Sequence, residues 1–351
     1  MRLGWRGALG IVLSVGLLWW VLRDQDLTRV WEVLAGSNVA LWAACTLFAT
    51  LIFPLRARRW QALLAPTYGR LPLRDLWHAT AVGMMVNNVA PLRAGEFARA
   101  YAITRPQPQV KFTAAFGSLA VDRLFDGTVV LLLMLAATLD PAFPSGQLIN
   151  GTPLVNYLRP VAAFLGLVLA GALTLIFAPS TVTRVVDAVA GVTAPKLAPK
   201  LAPKLHAIVG GFAEGLQALR SPLVLAEILC WTVLHWLCNA FAFWLAFRAL
   251  GITAPFSAGL LLQGLIAIAV AAPSSPGFFG LFEASGTVGL AIYGVAPAQA
   301  VAWALGFHIL SYIPITVIGA WSLTRLGLHF ADFRAPAGTA ADGSAPPPAG
   351  R

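Results

Sequence analysis

Charge is what this sequence has least of. Asp, Glu, Lys and Arg make up 11% of its 351 residues, against 58% hydrophobic; a soluble domain carries about 25% charge. That shortage excludes a large soluble domain. Cysteine is nearly missing too. The three present, Cys45, Cys230 and Cys238, lie in apolar runs with no zinc spacing and no disulfide framework, and read as small core hydrophobes. Of the five histidines, His78, His206, His235 and His329 are far apart and lack ligand spacing. No nucleophile elbow, phosphate-loop glycine pattern or His-Glu-x-x-His segment occurs. The expectation is a chain with no catalytic residues, no metal and no cofactor, and not an enzyme.

Apolar runs are what the chain has in plenty. Most are roughly 17 to 26 residues long, and about 20 helical residues cross a hydrocarbon core of ~30 Å. Candidate spans are 7–22, 39–55, 117–139, 161–178, 222–247 and 298–323. Arg2 and Arg6 precede the first run, which ends in "WWVLRDQDL" without a small-x-small cleavage site, so an uncleaved span is expected. Trp19, Trp20, Trp60, Trp77 and Trp321 fall near span ends and read as interfacial anchors.

The net charge of +10 would point to nucleic acid in a soluble protein. Here it follows from Lys and Arg collecting in cytoplasmic loops, and no nucleic-acid partner is expected. Residues 56–75 hold Arg56, Arg58, Arg59, Arg70 and Arg74, residues 93–111 hold Arg93, Arg99, Arg105 and Lys111, and residues 179–221 hold five more basic residues. The stretches 249–256 and 294–297 have none. Both termini are then cytoplasmic, provided that two awkward segments, 76–111 and 257–293, each enter and leave on one side. The first dips in from the cytoplasm and the second from outside.

Those segments share a pattern. "NNVAPLRAGEFARA" and "AVAAPSSPGFFGLFEA" both run Ala-Pro, then Gly four residues after that Pro, then an apolar stretch with a Glu. Pro91 and Gly95 correspond to Pro273 and Gly277, whereas the spacing to Glu96 and Glu283 differs. Pro/Gly-interrupted apolar segments at matching places in two halves mark transporters built from inverted repeats. The expected fold is all-α: a polytopic integral membrane helical bundle with two re-entrant, Pro/Gly-broken hairpins in inverted repeats. The membrane domain covers 1–325, with a first half to about 178, a cytoplasmic linker over 179–221 and a second half from 222.

Each break starts a new helix with free N–H groups and a positive dipole end, which suits an anion. Asn88, Arg93 and Arg99 lie at or beside the first break, and Ser274 and Ser275 beside the second. "VDRLFDG" puts Asp122 and Asp126 on one helical face at i,i+4, with Arg123 between them; this is either a structural ion pair or part of a site with an outside partner such as Arg93 or Arg99. Glu283 has no cation near it in sequence and either takes a proton, pairs a cationic headgroup or bonds broken backbone. His308 and Tyr312 share a face in the last span. The "APKLAPKLAPKL" repeat at 194–205 favours extended backbone, lying on anionic headgroups or acting as a solvated linker. The tail from 334 to 351 reads as disordered.

Taken in order, "NNVAPLRAGEFARA", "VDRLFDG", "PSSPGFFGLFEA" and "GVAPAQAVAWALGFHILSYIPITVIG" make the chain resemble the lysylphosphatidylglycerol synthase transmembrane-region, or flippase-like, family over about residues 7–325. The resemblance implies a bacterial inner-membrane protein that binds and translocates a lipid or polyprenyl-lipid with an anionic phosphate headgroup. It selects Asn88, Pro91, Arg93, Gly95, Glu96, Arg99, Arg123, Asp126, Pro273, Pro276, Gly277, Gly280 and Glu283. Asp122 stands where the family usually has Glu, Phe278 where it has Gly, and His308 about where it often has Arg. The soluble aminoacyl-transferase domain is absent from this sequence, so a separate lipid-modifying enzyme is a candidate partner. A membrane-interface transferase and a non-transporting subunit are the alternatives.

Overall fold

A computed structural model of the chain describes residues 5–90, 94–149, 151–193, 221–271 and 275–334. The protein is an all-α helical membrane protein, with one two-residue antiparallel pair, Leu148–Ile149 with Thr152–Pro153, as an ornament. Pro91, Arg93, Pro273, Ser274, the Lys-Pro repeat and the tail beyond 334 lie outside the described residues.

In chain order the helices are α1 (Trp5–Leu22), α2 (Leu27–Ala35), α3 (Val39–Thr50), α4 (Ile52–Tyr68), α5 (Leu73–Val89), α6 (Gly95–Ile103), α7 (Phe112–Ala136), α8 (Leu154–Phe177), α9 (Pro179–Thr193), α10 (Pro222–Ala249), α11 (Phe256–Ala269), α12 (Leu281–Ala291) and α13 (Pro297–Arg325). Three stretches, Val39–Tyr68, Pro222–Ala249 and Pro297–Arg325, are each long and apolar enough to cross a bilayer. The linker expected over 179–221 begins as the helix α9.

One boundary needs correcting. The run expected to end at residue 55 continues through α3 and α4 to Tyr68, so Arg56 and Arg59 are buried helix residues and not loop residues. Sequence charge ended the span; in the fold, carboxylates from α7 neutralise those arginines and the helix goes on. Trp60, expected as an interfacial anchor, is also fully buried.

Both awkward segments are hairpins. In the first, Gln107 bonds Asp75 at 2.5 Å. A Cβ on Gly83 would lie 2.7 Å from Arg99 Cβ, and Asn87 Oδ1 accepts from Gly95 N–H at 2.9 Å. Pairing 75 with 107, 83 with 99 and 87 with 95 makes α5 and α6 antiparallel. Gly95 is required there, because a side chain would collide with the Gly83 carbonyl and Asn87. In the second, Gly289 packs against Leu262 and Leu265, and residues 251–255 and 293–296 line one crevice at the open end.

The hairpins open at opposite ends of the bundle. Arg70 in the α4–α5 loop bonds Glu227 at the start of α10 at 2.9 Å, and Leu71, Ile103, Val110, Leu323 and Leu328 share one core cluster. At the other end Asn38 N–H donates to Ala249 O at 2.8 Å, Gln299 donates to Leu250 O at 3.3 Å, and Phe143 meets Tyr293. Each half therefore runs long helix, broken hairpin, long helix: α3–α4, α5–α6, α7, and then α10, α11–α12, α13. The hairpin α5–α6 lies along α13, which brings the two halves together.

Candidate functional site

Beside the first hairpin, four helices converge on two aspartates. Asp122 and Asp126 sit about 15 and 21 Å along α7 from Phe112, by the 1.5 Å helical rise, and one face of α7 presents both to α4. Arg59 reaches both: its Nε is 2.6 Å from Asp122 Oδ1 and its Nη1 is 2.6 Å from Asp126 Oδ1. Arg56, one turn earlier, places Nη2 3.2 Å from Asp126 Oδ2. From α6, Arg99 Nη1 lies 3.2 Å from Asp122 Oδ2, Nη2 donates to the Arg56 carbonyl, and the guanidinium stacks 4.3 Å above Trp60. From α10, Trp236 Nε1 donates to Asp126 Oδ1 at 3.1 Å, and His235 Nδ1 stands 3.8 Å from the same oxygen.

The rim of this cluster is more open. Arg123 contacts Glu96 and lies 3.4 Å from Asp126 Oδ2, with 42% of its side chain exposed, whereas Arg59 is at 0%. Four guanidinium groups face three carboxylates, so among the described residues the cluster holds one positive charge in excess. Several donors are idle. Arg56 Nε, Arg59 Nη2 and Arg99 Nε are buried without a hydrogen-bond partner, and so are both ring nitrogens of His235. The 2.6 Å approach of Arg59 Nε to Asp122 is too oblique to count as a hydrogen bond. Burying charge costs several kcal/mol per ion unless it is paired. A net cation with spare donors suits an anion chemically, and bidentate guanidinium geometry matches phosphate oxygens.

The second hairpin is built differently. Its break holds two left-handed glycines, Gly277 (φ +74) and Gly280 (φ +86), a conformation that L side chains disfavour. Glu283 accepts from Gly280 N–H at 2.6 Å through Oε2, capping its own helix, and its Oε1 is 2.6 Å from His308 Nδ1. His308 Nε2 lies 2.8 Å from the Gly277 carbonyl. α1 covers this break: Ser14 Oγ accepts from Ser275 N–H at 3.3 Å, and a Cβ on Gly280 would strike the Ser14 carbonyl. The hairpins touch through α13. Asn88 donates to Thr316 Oγ1 at 3.0 Å, while Tyr312 donates to Asn88 O at 3.4 Å and lies against Gly277.

The residues singled out from sequence thus form two groups. Glu96, Arg99, Asp122, Arg123 and Asp126 make the charged cluster. Asn88, Ser275, Gly277, Glu283 and His308 gather where the hairpins meet along α13, and Gly95 opens α6. Both amino ends expected to lie free for an anion already carry a side-chain acceptor, Asn87 at α6 and Glu283 at α12. Sequence reasoning missed Arg56, Arg59, Asn87, Ser14 and Trp236. A usable signal existed for two of them: arginines three apart on α4 complement aspartates four apart on α7. No group of three His, Cys, Asp or Glu suited to a metal occurs among the described residues.

The fold and site define a polytopic helical membrane protein with a buried, net-cationic cluster beside a broken hairpin. Residues 7–319 match the family model for the lysylphosphatidylglycerol synthase TM region, and the chain belongs to that family. It is also 32% identical over 135 residues to the glycosyltransferase AglD of Haloferax volcanii; the match covers 37% of this chain and 22% of that protein. No solved structure matches it.

Proposed function

We propose that the chain binds a lipid or polyprenyl-lipid by its phosphate-bearing headgroup and moves that headgroup across a bacterial cytoplasmic membrane. The observation that carries this reading is the buried excess of positive charge with unbonded N–H donors in the α4–α6–α7–α10 cluster. A phosphate oxygen supplies the missing counter-charge, and Arg56, Arg59 and Arg99 offer the donors. Arg93, two residues before Gly95 in the sequence, is a further candidate cation. In this reading both hairpins re-enter the membrane as inverted repeats, one from each side. The end that gathers Arg70, Arg74, Arg105, Lys111 and Arg325 is cytoplasmic, by the positive-inside rule. The headgroup passes between the hairpins while the tails stay in the bilayer, and a soluble lipid-modifying enzyme is a natural supplier of the headgroup.

The test is headgroup movement of a fluorescent anionic phospholipid in proteoliposomes. Arg56→Gln, which cancels the excess charge, is expected to slow movement at least about tenfold, equivalent to ~1.4 kcal/mol of barrier. Movement no faster than in protein-free vesicles, or an unaffected variant, overturns the reading. A membrane-interface transferase is the second reading, favoured by the glycosyltransferase name of the archaeal relative. Asp122 and Asp126 would be its carboxylates, and product made by the purified chain from lipid and donor would select it.

A further inference from the structure

Glu283 and His308 hold one proton between them, by the following geometry. His308 Nε2 faces the Gly277 carbonyl at 2.8 Å. A carbonyl oxygen only accepts, so Nε2 carries hydrogen. Nδ1 and Glu283 Oε1, 2.6 Å apart, then share a further proton: either imidazolium faces carboxylate, or a neutral ring accepts from a carboxylic acid. Both forms have zero net charge. Take that proton away and a net anion remains where Glu283 is 0% and His308 6% exposed.

Beyond the Gly280 N–H on Oε2, the surroundings among the described residues offer that anion no polar partner. α1 presents Ser14 to the break, and Phe279 and Phe282 pack on the imidazole at 4.5 and 4.6 Å between ring centroids. α13 adds Tyr312, among the described residues the one other titratable side chain against the ring, at 6.3 Å. α5 contributes Asn88 through Tyr312. Among the described residues no Lys or Arg contacts the pair, in contrast to the crowded cluster on α7. A buried carboxylate with no cation beside it costs several kcal/mol, so the packing at Gly277 and Gly280, both buried, and the proton stand or fall together.

The geometry points to Glu283–His308 as a proton-binding site whose proton, released to bulk water, opens the second break to solvent. His308 is the hinge pin of this arrangement, since one ring ties the carboxylate of α12 to the Gly277 carbonyl. Joined to the transport reading above, on which only this last step rests, the site couples headgroup movement to a proton gradient.

The experiment places a reporter at Ser275→Cys in a chain whose native cysteines are alanine. The rate of modification by a water-soluble thiol reagent is followed from about pH 5.5 to about pH 8.5, with and without Glu283→Gln. Gln keeps the Gly280 cap and donates to Nδ1, so it mimics the proton-loaded pair. The ratio of the two rates cancels the thiol's own titration. It is expected to rise about tenfold with pH, and His308→Gln, the second variant, should flatten the response as well. A ratio constant across the range overturns the proposal. Fluorescent lipid movement under an imposed pH difference is measured in parallel. A steady-state shift of about tenfold per pH unit supports coupling by one proton. A pH-responsive ratio without any lipid movement leaves the proton site standing and removes the transport reading instead.

Discussion

Hairpin α5–α6 keeps its charges by sharing them among four helices, whereas hairpin α11–α12 buries one carboxylate against one histidine. Both hairpins satisfy a backbone N–H at a helix amino end with a side chain, so that part of the backbone problem is solved alike. The electrostatic problem is not. Asp122 and Asp126 each have three guanidinium partners, and loss of either carboxylate strands them. At Glu283 the partners are one imidazole, with His308 Nδ1 at 2.6 Å, and one backbone N–H, from Gly280. The first arrangement suits a rigid receptor and the second a part that moves.

That contrast is breakable by substitution. The largest effect belongs to Asp126→Ala. It leaves Arg56 and Arg59 short of a counter-ion and should cost about 3–5 kcal/mol, read as loss of monodisperse protein and a fall in melting temperature in detergent. If the drop equals that of an ordinary core truncation without charge, the cluster is not the tightly coupled unit described. Next is Gly95→Ala, which pushes a methyl into the Gly83 carbonyl and Asn87; ~1–3 kcal/mol of overpacking is expected, visible in the same melting assay. Gly277→Ala should cost less, ~1–2 kcal/mol for a left-handed alanine, with faster proteolysis around the second break as its signature. Smallest is Glu283→Gln. Gln retains both hydrogen bonds, so stability should move by less than about 1 kcal/mol, while any pH response of the break is abolished. A large melting shift for Glu283→Gln would erase the distinction between the hairpins.

Much of this was legible in the residues. Apolar run length marked the long helices, and the matching Ala-Pro and Gly placements at 90–95 and 272–277 marked the two breaks. Loop charge assigned the hairpins to opposite ends, as the contacts at Arg70–Glu227 and Asn38–Ala249 also place them. What was not legible is partnership across the chain. Arg56 and Arg59 look like loop charge until Asp122 and Asp126 are placed beside them, because a local reading prices a buried cation without its counter-ion. Likewise Glu283 looks isolated in sequence, since His308 comes 25 residues later on another helix. The capping of Gly95 by Asn87 depends on the fold of the turn, which spacing does not reveal.

The reach of Arg59 to α7 has a consequence for how the protein is made. Its second carboxylate, on Asp126, is 67 residues further along the chain. Of the three arginines on α4, Arg56 and Arg59 are buried in the fold and emerge during synthesis with nothing to satisfy them, and each costs about 2.5–3.5 kcal/mol at mid-bilayer. That helix has no reason to settle in lipid until the ribosome has delivered α7. Biogenesis must therefore hand over α4 to α7 as a single parcel, so a stop codon placed before Asp122 should yield a fragment that the translocon cannot leave stably embedded.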